Sequence, residues 1–415
     1  MKNLLQRLLP AILAVALAAP AYADREGMRA AISDMDPVAL AREAASEGPA
    51  EQALARAVAG SWMRHDPAIT FELSDAAGLQ TDPTLKSVAL RALMSVYLRR
   101  GEFAAAAVAG RDAAALEALD ASEAQAMTFV EALVGVPPTR LMSGGAGRAP
   151  IVRDLAGLMR ADIKVGAESV AAILDTGANF STINETSARR LGLRMLESTV
   201  SVGSSSRDAV ASRLGVAEKL SFAGSDFSNV VFIVLPDADL SFANGAYTID
   251  AILGMPVFLE MKRIEIAKVD GREVFAFGDE AAEVEALERN ILFNAMSPMA
   301  QLSIDVAGKP VRLSMLLDSG AQRTSFEGAF VQDAAALLDG AETVSSTRGG
   351  AGGMVTSDTT KRLATASVTL GAKTVTLENV DVHVEDDDAS HGILGLDALK
   401  DGFMIDWDAG VVAAH

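Results

Sequence analysis

The stretch Ala171-Ala172-Ile173-Leu174-Asp175-Thr176-Gly177-Ala178-Asn179-Phe180-Ser181-Thr182 decides how this sequence is read. Four apolar residues read as the end of a buried strand, and an acid, a hydroxyl residue and a glycine follow at once. A carboxylate at the rim of a core is poorly solvated, so holding it there is costly unless a partner or a reaction uses it. Asp and Gly are also ordinary turn residues, and a single copy of the pattern fits a plain turn. The second copy argues against that. Met315-Leu316-Leu317-Asp318-Ser319-Gly320-Ala321 repeats the form 143 residues further on. Downstream, Ala251-Ile252-Leu253-Gly254-Met255 is matched by Gly392-Ile393-Leu394-Gly395-Leu396. Asp175 precedes Gly254 by 79 residues and Asp318 precedes Gly395 by 77. Two motifs recurring in order at matched spacing mark a duplicated unit, which a turn Asp does not require.

Each copy is introduced by a hairpin pattern. Residues 160–177 alternate about a turn at Gly166-Ala167-Glu168, and residues 301–320 about Ala307-Gly308-Lys309. Two half-domains related by duplication can pack about a pseudo-twofold axis, which would bring Asp175 and Asp318 face to face. Like charges that close cannot both ionise, so the pair would share one proton and titrate as a unit. The ionised member can take a proton from a water held between them while the protonated member polarises a carbonyl. Gly177 and Gly320 let the two loops approach closely. Thr176 and Ser319 carry hydroxyls able to bond across the interface and lock the loops.

Composition suits chemistry of this kind. The chain has 415 residues, which predicts two or three domains, and half of them are hydrophobic. It has no cysteine, which excludes disulfides, thiolate nucleophiles and Cys-ligated metals. Its histidines are His65, His383, His391 and His415, and no G-x-S-x-G elbow has a suitable Asp/His pair, so a serine hydrolase is disfavoured. The net charge is −19 with no Lys/Arg block, which argues against nucleic acid as a partner. His383–His391 (HVEDDDASH) groups two histidines with four acids. The matched segment of the first copy, LPDADLSFANGAYTID, lacks such a cluster, so a solvated acidic loop is expected rather than a metal site. No metal or cofactor is expected.

Residues 1–23 have the form of a secretory signal peptide: Lys2 and Arg7, an apolar run from Leu8 to Ala19, then Ala21-Tyr22-Ala23. Export to the periplasm or the medium is expected, with no stable membrane insertion once that segment is removed. Residues 24–134 are rich in Ala, Leu, Arg and Glu and read as helical. Segments 57–73 and 92–108 overlay with Trp62 on Tyr97, which fits helical-hairpin repeats or a plain bundle. Pro and Gly in 135–149 read as a linker, leaving 24–150 open to a propeptide role or to docking a protein partner. The first β-lobe is expected over 150–277, an acidic connector over 278–289 and the second lobe over 290–415. Trp62 and Trp407 are expected in the core or at its rim. The fold class is therefore a helical domain followed by an all-β bilobal domain.

These motifs resemble the retropepsin-like aspartic proteases, the superfamily of the retroviral proteases and the pepsins. In that family each lobe carries two apolar residues, Asp, Thr or Ser, and Gly, and later an apolar pair and Gly that pack behind the catalytic loop. Ile173-Leu174-Asp175-Thr176-Gly177-Ala178 and Leu316-Leu317-Asp318-Ser319-Gly320-Ala321 match the first element, and Ile252-Leu253-Gly254 and Ile393-Leu394-Gly395 the second. Ala after the Gly is closer to the retroviral and bacterial members, while both lobes in one chain is the pepsin arrangement. The resemblance spans residues 150–415 and implies an aspartic endopeptidase acting on an extended polypeptide. It also implies a β-hairpin flap, for which Arg348–Val355 (RGGAGGMV) is the candidate, with Gly349, Gly350, Gly352 and Gly353. Its first-lobe equivalent, Ser201–Val210, has less glycine, and neither segment has the tyrosine that pepsins carry there. Two rivals stand beside this reading. One is a non-catalytic peptide-binding module of the same fold with a helical docking domain. The other is a structural β-protein whose Asp-Thr/Ser-Gly turns only hold its lobes together.

Overall fold

The computed structural model describes residues 26–204, 207–282, 288–350, 353–385 and 390–415. The signal-like segment 1–23, Gly352, Asp386–Asp388 and residues 283–287 of the acidic connector lie outside the described residues. The chain divides into two compact units. One comprises residues up to Val96 together with Ala109–Ala118, and the other Tyr97–Val108 together with Leu119–His415. No helix among the described residues is long and apolar enough to cross a membrane.

The N-terminal unit is helical, with helices Pro37–Ala44, Pro49–Met63 and Ala68–Leu79. Proline opens the first two, where its missing N–H costs nothing, and Asp36 caps the first by accepting from Val38 N and Ala39 N. Leu54, Val58, Ile69 and Leu73 are buried at helical spacing, and Trp62 joins them. The unit also takes the first part of helix Pro83–Arg99 and the end of helix Phe103–Leu116. Segments 57–73 and 92–108 each run as a helix, a short break and a second helix.

The larger unit holds two similar β-lobes. In the first, Met159–Val165 and Glu168–Leu174 form the expected hairpin, with Gly166 at φ 62° in its turn. In the second, Ser297–Val306 and Lys309–Leu317 do the same, with Ala307 and Gly308 at φ 54° and 82°. The inner strand of each hairpin then pairs in parallel with a strand far away in sequence. Ile173 and Leu174 lie beside Ile252 and Leu253, and Leu316 and Leu317 beside Ile393 and Leu394. Each lobe also carries a long two-stranded arm, Arg194–Ser204 with Arg207–Phe222 and Glu342–Gly350 with Gly353–Leu370. Short helices interrupt the expected all-β lobes at Glu185–Arg190, Met255–Glu260 and Ala329–Asp333. Local capping explains the first, since Asn184 Oδ1 accepts from Ser187 N, and Pro256 in the first turn favours the second.

A five-stranded antiparallel sheet joins the lobes, in the order Gly147–Pro150, Arg272–Phe277, Arg263–Val269, Phe403–Asp406 and Val411–Ala414. Two stretches of residues 135–149, expected as a linker, are strands of the sheets. Arg140–Ser143 pairs with Ser225–Leu235, and Gly147–Pro150 pairs with Arg272–Phe277. Pro and Gly break helices, but they are compatible with the edge positions that both segments occupy. Gly147 has a direct steric reason, because a Cβ there would lie 1.8 Å from the Ala223 carbonyl oxygen.

A chain beginning at residue 149 would lose the first of these strands, half of the second, and the buried Phe103, Phe129 and Arg99. Truncating one buried Phe costs about 3–5 kcal/mol. Such a fragment should show no cooperative thermal transition by circular dichroism. A melt within about 5 °C of the full chain, worth about 1–2 kcal/mol at this size, would contradict this assignment.

Candidate functional site

Asp175 and Asp318 each end the inner strand of their lobe's hairpin, and the parallel partner strand fixes where each one points. Asp175 N donates to Leu253 O at 3.0 Å, and Asp318 N donates to Leu394 O at 3.1 Å. Three residues beyond each Asp the chain is tied again, by Met255 N donating to Ala178 O and Leu396 N to Ala321 O, both at 2.9 Å. The glycines of the second motif fit closely behind these loops. A Cβ on Gly254 would lie 2.7 Å from Phe180 C, and one on Gly395 would lie 2.5 Å from Arg323 C. Ile252, Leu253, Ile393 and Leu394 thus sit in the strands paired with those that end at the two aspartates.

The loops then meet across the lobes. Thr176 Oγ1 donates to Leu317 O at 2.7 Å and accepts from Ser319 N at 3.0 Å. Ser319 Oγ donates to Leu174 O at 2.8 Å and accepts from Thr176 N at 3.0 Å. Both side chains are buried, so these four bonds form in a poorly solvated interior. The lattice leaves room for the two carboxyls to touch, because each glycine lies against the aspartate of the opposite lobe. A Cβ on Gly177 would meet Asp318 Cγ at 2.5 Å, and one on Gly320 would meet Asp175 Cγ at 2.4 Å. The Asp175 and Asp318 carboxyls hydrogen-bond to one another.

Backbone donors orient them. Asp175 Oδ1 accepts from Gly177 N at 2.8 Å and Ala178 N at 3.0 Å, and Asp318 Oδ1 accepts from Gly320 N at 2.7 Å. Burial pushes the Asp175 carboxyl well above the usual carboxylate range, and the neighbouring Asp318 charge pushes it further. Burial also raises Asp318, against the hydrogen bonds that favour its ionised form, from Asp175 and the Gly320 and Ala321 amides. The pair therefore holds one proton between them and titrates as a unit.

A pH signature follows from this. Folded Asp175 keeps its proton at pH values where the unfolded residue, with an ordinary value of 3.8, has lost it. The folded state then binds more protons, so this group's contribution to stability falls as pH rises from about 4 towards its folded value. Asp175→Asn removes that slope. The melting temperature of the variant minus that of the wild type should grow as pH rises above about 4. A difference that stays flat across that range would refute the shared proton.

Two hydroxyls escaped the sequence reading. Ser181 Oγ accepts from Gly254 N and Thr324 Oγ1 from Gly395 N, both at 3.1 Å. Each stands six residues after its aspartate, so a matched hydroxyl at that offset was the available signal. The candidate flap is the tip of the Glu342–Leu370 arm, where Gly349 pairs with Met354 and Gly350 with Gly353. The Ser201–Val210 segment is likewise the tip of the first-lobe arm.

The described histidines near the acidic loop have structural partners. His391 Nδ1 accepts from Ser314 N at 3.1 Å and its Nε2 lies 3.0 Å from Asp333 Oδ2, while His383 Nδ1 lies 3.4 Å from Thr360 Oγ1. No group of three or more His, Asp or Glu able to hold a metal occurs among the described residues. Trp407 is buried in the core beside Phe293, with ring centroids 6.2 Å apart.

Comparison with known proteins agrees with this duplicated geometry. No curated protein matches the chain. Residues 160–257 match the aspartyl protease family, and residues 302–401 match the family described as "gag-polyprotein putative aspartyl protease". Each match contains one Asp-Thr/Ser-Gly loop and the apolar pair and glycine behind it, so each lobe of this chain carries a retropepsin-like aspartyl protease segment.

Proposed function

We propose that this chain is an exported aspartic endopeptidase whose catalytic residues are Asp175 and Asp318. The observation that carries the reading is a pair of carboxyls, one from each lobe, hydrogen-bonded to one another inside a buried lattice of cross-lobe bonds. Ionised Asp318 takes a proton from a water held between the carboxyls, and the water oxygen adds to the peptide carbonyl carbon. Protonated Asp175 hydrogen-bonds the carbonyl oxygen and passes its proton to it as the tetrahedral diol forms. The proton held by Asp318 then goes to the nitrogen, the C–N bond breaks, and the diol returns a proton to Asp175. Thr176 and Ser319 position the loops, and Gly177 and Gly320 provide the close approach.

The substrate is an extended polypeptide lying as a strand beneath the Gly349–Gly353 hairpin tip, which serves as the flap. Support for the flap comes from its place at the end of a long two-stranded arm and from its glycines. The N-terminal helical region is free to serve as a docking surface for a protein partner. The signal-like pattern of residues 1–23 supports export to the periplasm or the medium.

The test is cleavage of casein, an unstructured protein, between pH 3 and 7.5. Casein should be cut and a statine-type inhibitor should block the cutting. An unchanged casein pattern across that range, with the protein shown to be folded, would overturn the assignment.

A further inference from the structure

The two catalytic loops are alike at every position that builds the dyad, and they part at the fifth residue after the aspartate. In the second lobe that residue is Arg323, an exposed side chain whose Nη2 donates to Glu378 O at 2.7 Å and Asn379 O at 3.1 Å, within its own lobe. In the first lobe it is Phe180, which is buried and reaches outside the lobe altogether. Its ring stacks on Phe129 with centroids 5.0 Å apart and an interplanar angle of 21°. It also lies 6.5 Å from the Phe103 ring. Both partners sit on helices that precede the β-lobes, Phe103–Leu116 and Ala121–Ala132.

The same stretch of chain reaches further. Gln125 Nε2, on the second of these helices, donates to Ser201 O at 2.9 Å in the outer strand of the first-lobe arm. Arg99 is buried, with its guanidinium over the Phe293 ring at 4.7 Å and its Nη1 donating to Ala295 O at 2.8 Å in the second lobe. Tyr97–Val108 and the helix Ala121–Ala132 therefore hold the first-lobe catalytic loop, the first-lobe arm and the start of the second lobe. The Phe180 contact matters most for chemistry, because the loop between it and Asp175 is four residues long. That loop supplies the Gly177 and Ala178 amides that bind Asp175 Oδ1.

We propose that Phe180 is a positioning residue, clamped by Phe129 and Phe103, that holds the Asp175 loop in register with Asp318. This rests on the endopeptidase reading, since what is positioned is one half of the dyad. Stacked aromatic pairs contribute beyond simple area burial, and their geometry is specific, so a ring on Phe129 restrains the loop better than an aliphatic side chain of similar bulk. Phe103 and the helix Ala121–Ala132 are thus a working part of the first lobe. A small displacement of a reacting group is enough to cost about a hundredfold in rate, which is the scale on which such a clamp acts.

The experiment uses the full chain with Phe129→Leu, Phe129→Tyr and Phe180→Leu, each assayed well below its melting temperature. A fluorogenic peptide and hydrogen exchange monitored by mass spectrometry provide two separate readouts. Phe129→Leu and Phe180→Leu should lower kcat about tenfold or more with KM within about twofold, and should shift the acid limb of the kcat–pH profile. Phe129→Tyr should restore both. In the same variants, exchange in peptide 172–183 should rise about tenfold, while its counterpart 315–326 stays at the wild-type rate. A loss of activity that tracks only the unfolded fraction, with an unmoved pH profile, would overturn the proposal. So would exchange rising equally in both peptides, or in neither. The exchange measurement needs no turnover, so an inactive wild type would refute the endopeptidase reading while the clamp was still judged by its own result.

Discussion

Asp175→Asn and Asp318→Asn should each leave a folded protein that has lost at least about 10³-fold of its kcat on a peptide substrate, the scale of a positioned acid–base group. Asn has the size of Asp and can still accept from the Gly177, Ala178 or Gly320 amides that orient the native carboxyls. What it cannot do is exchange a proton. In the first variant the group that protonates the carbonyl oxygen is gone, and in the second the base that takes the proton from water. The two losses should not add, because each alone disables the same unit. Removing a buried charge also removes a desolvation cost, so neither variant should melt below the wild type near neutral pH. Steady-state cleavage and thermal melts in parallel give the answer. A variant that still cuts at one-tenth of the wild-type rate, or one that simply unfolds, would support turns that hold the lobes together.

Thr176→Val should cost about 2–5 kcal/mol of unfolding free energy, and Ser319→Ala a similar amount. Valine keeps the volume and branching of threonine, so little packing is lost. The hydroxyl, however, donates to Leu317 O and accepts from Ser319 N, and both of those groups are left buried without their partner. Each orphaned group costs about 1–3 kcal/mol. Ser319→Ala strands Leu174 O and Thr176 N in the same way. Thr176→Ser keeps both bonds and should stay within about 1 kcal/mol of the wild type. Urea denaturation measures the differences. A change below about 0.5 kcal/mol in Thr176→Val would mean that water replaces the hydroxyl and that the lattice is not dry. The double variant should cost less than the sum of the singles, since the two hydroxyls serve the same interface.

The meeting of Asp175 and Asp318 was legible because the motif was written twice. Asp175 alone reads as a turn residue. With Asp318 at matched spacing, and with Ile252-Leu253-Gly254 and Ile393-Leu394-Gly395 behind them, local pattern and long-range pairing point the same way. The hairpins were legible too, since Gly166 and Gly308 stand where positive φ is needed. Other features carried no such signal. Arg140–Ser143 and Gly147–Pro150 look like linker because edge strands tolerate the residues that linkers use. Phe180 looks like any buried aromatic, and its partners lie about fifty and seventy-five residues upstream, out of reach of any periodicity. Ser181 and Thr324 stood in view at equal offsets. Their role appears only once Gly254 and Gly395 are seen to need acceptors for their amides.

The sheet that joins the lobes sets how this protein behaves on dilution. Arg263–Val269 pairs with Phe403–Asp406 through Ile264 opposite Ile405 and Ile266 opposite Phe403, so the two halves of the site are stitched together within a single molecule. A site assembled from two separate chains comes apart as concentration falls, because its stability is inseparable from mass action. Here each half meets the other at a fixed, high effective concentration set by the connection between them. Specific activity should therefore be the same at picomolar and micromolar protein.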